Sequence, residues 1–150
     1  MIECIFTLDY ELYGNGIGSL RKCVLEPTRH LAALFGQQGL SFVIFPEMLG
    51  LIKMEEFRAD PDVPEVLDQL RDLYRDGFEI GLHLHSWWHN ATIRDGHWVL
   101  DWESRNLCHW NPAQVNALIG LAINRLRRIT ASPAFTPIVF RNGLWVMQPT

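Results

Sequence analysis

Residues 78–89 read Phe-Glu-Ile-Gly-Leu-His-Leu-His-Ser-Trp-Trp-His, and the fold turns on this stretch. Phe78, Ile80, Leu82 and Leu84 alternate with Glu79, Gly81, His83 and His85, the period of a strand with one apolar and one polar face. Immediately upstream, Pro64 to Arg75 carries Val66, Leu67, Leu70, Leu73 and Tyr74 at helical spacing, and Gly77 stops that helix.

The alternation of helix and strand continues outward. Ile2 to Leu8 and Leu40 to Phe45 are short apolar runs that suit buried strands. Between them the Gly-rich loop 14–19 lacks the Lys-Ser/Thr ending of a phosphate-binding loop. A helix opens near Pro27 and buries Leu31, Leu34 and Phe35, and a short helix is expected around Leu49 to Phe57. Residues 86–110 form a long Trp-rich connection, a length that often marks function in a compact domain. Asn111 and Pro112 open a further helix whose buried face is Val115, Leu118, Ile119, Ala122, Ile123, Leu126 and Ile129. Phe135 to Phe140 is the fourth strand. Strands separated by helices imply an α/β fold with a parallel sheet, whose ligands gather at the carboxyl ends of the strands.

Composition narrows the function. The chain has 150 residues, enough for one domain with a real core, and 48% of them are hydrophobic. Net charge is −4, and the nearest basic group, Arg125, Arg127 and Arg128, lies on a helix face, so nucleic-acid binding has no electrostatic footprint. Cys4, Cys23 and Cys108 show no Cys-x-x-Cys spacing and read as free thiols of a reducing compartment. With no leader-like start and no apolar run of membrane-spanning length, a cytoplasmic location is expected.

The polar residues of interest cluster at strand ends: Asp9 and Glu11 after the first, His83, His85 and His89 after the third, Arg141 after the fourth. His83 and His85 share one strand face at about 7 Å between Cα atoms, close enough for both imidazoles to reach one divalent ion. His85 and His89, four apart, offer a second ligand spacing. Asp9 and Glu11 also share a face. One carboxylate can complete a three-ligand site while the other takes a proton from water. Trp87, Trp88, Trp98, Trp102 and Trp110 either form a stacking wall for a ligand or fill the core, with the core favoured for Trp102 and Trp110. Asp101 and Glu103 could also reach the cleft.

Three segments carry a resemblance: Thr7-Leu8-Asp9-Tyr10-Glu11, Glu79 through His89, and Phe140-Arg141-Asn142-Gly143-Leu144-Trp145. In this order they resemble the first three motifs of the polysaccharide deacetylase (NodB-homology) family. The resemblance implies a parallel-stranded (β/α) barrel, TIM-barrel-like, and metal-dependent removal of acetyl groups from N-acetylated sugars. By that resemblance Asp9 is the general base, Arg141 orients it, and the ion is zinc, with iron, cobalt or nickel as alternatives. Tyr10 stands where the family places a metal-binding acid, which passes that role to Glu11. The family's His-x-x-x-His matches His85 and His89, whereas alignment on Glu79-Ile80-Gly81 places His83 first and Trp87 second; both registers stay open. Trp87, Trp88 and Trp145 are the candidate substrate-binding rings. The fourth and fifth motifs, the latter supplying a histidine general acid, do not occur in these residues, so His89 or His97 would have to serve. About four strands are expected, an incomplete barrel with an open edge at which a second copy could pair. A catalytically inactive carbohydrate-binding relative and a hydrolase of non-sugar amides are the alternative readings.

Overall fold

The computed structural model describes residues 3–145, without the side chain of Trp145. Four parallel segments form the centre: β1 (Thr7–Tyr10), β2 (Val43–Pro46), the pair β3 (Glu79–Ile80) and β4 (Leu82–Leu84), and β7 (Phe140–Asn142). β1 pairs with β2 and β2 with β3 in one sheet, and β4 pairs with β7 in a second. A third, antiparallel pair joins β5 (Thr92–Arg94) to β6 (His97–Val99).

The handover between the first two sheets occurs at Gly81. Its N–H donates to the Ile44 carbonyl at 2.8 Å, and the next N–H, of Leu82, donates to Val139 at 3.0 Å. A side chain cannot be accommodated at this step, because a Cβ on Gly81 would lie 2.7 Å from the Phe45 ring and 2.9 Å from Val139.

Among the described residues four α-helices cover the apolar face: α1 (Glu26–Gln37), α2 (Met48–Phe57), α3 (Val63–Arg75) and α4 (Pro112–Ile129). α3 buries Val63, Val66, Leu70 and Leu73, and α4 buries Leu118, Ala122, Leu126 and Ile129. Asn111 caps α4 in a reciprocal pairing with Gln114, which satisfies donors that the first turn leaves open. Ile44, Ile80, Leu82 and Leu84 face this helical layer and are almost wholly buried. Tyr10 joins them, and its hydroxyl donates to Gln69 Oε1 at 2.8 Å. The alternate residues, Asp9, Phe45, His83 and Arg141, therefore lie on the opposite face.

Several expectations are corrected here. The strands run only two to four residues, and among the described residues they form three small sheets with no closure into a (β/α) barrel, so the fold is a mixed α/β arrangement and not TIM-barrel-like. Four short parallel segments cannot supply the strand number that closure needs. The strands also lie further along the chain than their apolar runs suggest: β1 starts at Thr7, and the expected strand from Phe135 is confined to Phe140–Asn142. Phe135 instead packs edge-on against Tyr74 at 5.5 Å. Cys4, expected inside a strand, is exposed ahead of β1. β1 is paired on one side only among the described residues, an edge at which another strand can add. No helix of the described residues is long and apolar enough to cross a membrane.

The crowding at Gly81 yields a direct expectation. Gly81→Ala forces the Phe45 ring or Val139 to move and should lower unfolding stability by about 1–3 kcal/mol, measured by urea denaturation.

Candidate metal centre

Strand alternation brings Glu11, His83 and His85 to one place. His83 belongs to β4, His85 follows it directly, and Glu11 follows β1. Glu11 Oε2 lies 3.0 Å from His85 Nε2, Glu11 Oε1 lies 3.6 Å from His83 Nε2, and the two Nε2 atoms are 3.1 Å apart. Ligand atoms of a tetrahedral ion with bonds of 2.0–2.1 Å stand about 3.3 Å from one another. The three side chains are thus spaced as ligands of a single divalent ion, and they are the group among the described residues able to hold one.

The surroundings fix each ring. His83 Nδ1 lies 2.8 Å from the backbone carbonyl of Arg141. A carbonyl only accepts, so Nδ1 bears the proton, and neutral His83 turns an Nε2 lone pair toward the cluster. His85 is held by stacking on Trp87, with ring centroids 4.0 Å apart and planes inclined by 21°. On its other flank stands Gly143, where a Cβ would run into the imidazole. His85 Nδ1 is buried with no hydrogen-bond partner.

The electrostatics follow from this packing. Burial pushes the Glu11 carboxyl up, but hydrogen bonds and charge from His83 and His85 overcome it and hold the group down at about 2. Burial likewise pushes the His83 imidazolium down, and the Glu11 hydrogen bond, the Arg141 carbonyl and the nearby carboxylates raise it above its ordinary value. The depressed Glu11 and the raised His83 therefore favour a bound cation, a proton or a metal.

Asp9 and Arg141 form the adjoining ion pair. Arg141 donates to Asp9 Oδ1 through Nη1 and to Thr7 Oγ1 through Nη2, the latter at 2.8 Å, and its guanidinium rests 4.1 Å over the Phe45 ring. A cavity of about 390 Å³ opens beside the pair and is lined by Asp9, Glu11, Tyr13, Lys22 and Cys23 among others.

Other candidates lie elsewhere. His89 does not join the cluster. A tight turn at Ser86–Trp88 directs it against Trp110, 5.5 Å away, into a separate cavity of about 570 Å³ with Glu103, His109 and Gln114. Trp87 and Trp88 are 2% and 3% exposed and present no free ring face to a sugar. Trp102, expected in the core, is half exposed at 45%, while Trp110 packs against the core. Asp101 caps the turn at Trp102–Ser104, and His97 sits in the β5–β6 hairpin. The Trp145 side chain lies outside the described residues.

Glu47, at the end of β2, escaped the sequence reading. It is 3% exposed and accepts the backbone N–H of His85 at 3.0 Å. Burial pushes its carboxyl up to about 7, against the pull of His85 and of the N–H groups bonded to it. A glutamate before a helix reads as an end cap, and no local signal announces the approach to His85.

No family model matches this chain, and no curated protein or solved structure does.

Two outcomes follow. Calorimetric titration with zinc should show one site, much weakened in His83→Ala and in His85→Ala and retained in His89→Ala. The metal-free protein should also carry a pH signature. The depressed Glu11 contributes stability that is present above 4.5 and lost as pH falls toward 2. The raised His83 contributes stability that is full below 6.5 and lost as pH rises through its folded value. The raised Glu47 adds a loss of stability between pH 4.5 and about 7, so thermal melts should show stability highest near pH 4.5 and falling above it, and Glu11→Gln should flatten the acid limb.

Proposed function

We propose that the chain is a metal-dependent hydrolase that removes acetyl groups from N-acetylated sugars at the Glu11, His83 and His85 centre. The observation that carries this reading is the placement of that centre and the Asp9–Arg141 pair on one polar sheet face, with Glu11 and Asp9 lining the same cavity. Two imidazoles and a carboxylate suit zinc. The order and spacing of the three motifs resembling polysaccharide deacetylases support the sugar amide as substrate class.

When bound, the ion supplies Lewis acidity, lowering the pKa of a water and polarising the acetamide carbonyl. The remaining work belongs to the chain. Glu11, His83 and His85 hold the ion, and Asp9 accepts a proton from the attacking water. Arg141, itself packed on Phe45, aims the Asp9 carboxylate through a charge-assisted bond. Among the described residues no histidine lines the cavity beside Asp9, and His89 opens into a different one. The departing amine would then take back the proton that Asp9 accepted from water. Tyr10 is buried on the helical face, so the family's adjacent acid is replaced by a carboxylate one residue later that shares the face of Asp9.

Zinc-loaded protein should release acetate from chitooligosaccharides. Asp9→Asn should lower kcat by about 10²–10⁴-fold with zinc affinity little changed. Stoichiometric zinc binding without acetate release from any N-acetylated sugar would instead favour a non-catalytic relative.

A further inference from the structure

Glu47 carries more than a helix cap requires. Its side chain accepts the N–H of Leu49 at 3.2 Å and of Gly50 at 2.5 Å, the usual duty of the residue before α2. The third N–H comes from His85, 38 positions away. Ser, Thr, Asn and Asp cap helices well with shorter side chains, and a buried carboxylate is costly. The added length of glutamate is what reaches His85.

The same residue touches the rest of the cluster. Its backbone pairs with His83 as an isolated parallel bridge. Glu47 and Glu11 also line a gap of about 10 Å³, at the lower limit of space that admits one water. Glu47 thus touches the backbones of His83 and His85 and shares this gap with Glu11.

We infer that Glu47 is a positioning residue of the metal centre: it ties the N-terminus of α2 to the His85 backbone and so sets that imidazole against Glu11 and His83. The inference rests on the metal-binding reading proposed above. With Gln, one oxygen can still accept from Leu49 and His85, but an amide NH2 then faces the Gly50 N–H. The strut shifts, and the ligand it supports shifts with it.

The test uses Co(II) alone as the probe, with the d–d spectrum reporting ligand geometry. Glu47→Gln should bind Co(II) about 10–100-fold more weakly than wild type and show an altered spectrum. Leu70→Ala, a core change in α3, should lower the melting temperature while leaving Co(II) affinity and spectrum unchanged. If Glu47→Gln does not fold, Glu47→Asp keeps the charge but is too short to span both sets of donors, and the same loss is expected. Wild-type affinity and spectrum in the folded Glu47 variant would overturn the inference, as would an equal loss in Leu70→Ala. Failure of the wild-type protein to bind Co(II) would overturn the metal reading itself.

Discussion

The contact between Glu11 and the two histidines governs the structure around it. A carboxylate within 3.0 Å of one Nε2 and 3.6 Å of another, with the imidazoles 3.1 Å apart, concentrates lone pairs in a nearly buried place. Such a group is costly unless a cation binds it. The neighbouring features bear on that requirement. The Arg141 carbonyl sets the His83 tautomer, Trp87 stacks on His85, and Gly143 leaves room for the His85 ring. Behind them Glu47 ties a helix N-terminus to the His85 backbone.

Much of this arrangement was legible because β-alternation is a strong constraint. Asp9 and Glu11, like His83 and His85, are two apart, and both pairs lie on the polar face as the period requires. Helices α3 and α4 were equally readable, since the residues they bury recur at helical spacing. The strand ends were less so. Apolar runs such as Ile2 to Leu8 extend beyond the hydrogen-bonded segment, because burial by the helices and pairing with a neighbour need not coincide.

What was not legible depended on local turns and on contacts distant in sequence. The His85–His89 spacing fits one turn of α-helix, but residues 86–88 form a tighter turn. At three residues per turn, a side chain four positions on points about a third of a turn away. That rotation sends His89 to Trp110. In the same connection, Asp95-Gly96 between Arg94 and His97 makes a two-residue hairpin with positive φ at both positions, and that dipeptide is a recognisable signal. The paired tryptophans gave no such clue. Their burial depends on α2 and the loop folding over them, and nothing in the alternation reveals that cover. The closed barrel failed for a reason of number, since the four parallel segments of the described residues leave an outer edge at β1.

X-ray absorption at the zinc edge of the metal-loaded protein tests the central claim most directly. The account predicts a light-atom shell at about 2.0–2.1 Å with the outer scattering of two imidazoles, reduced to one in His83→Ala protein loaded at high zinc. A shell with three imidazoles, or one that persists unchanged in that variant, would place the metal elsewhere and contradict the account.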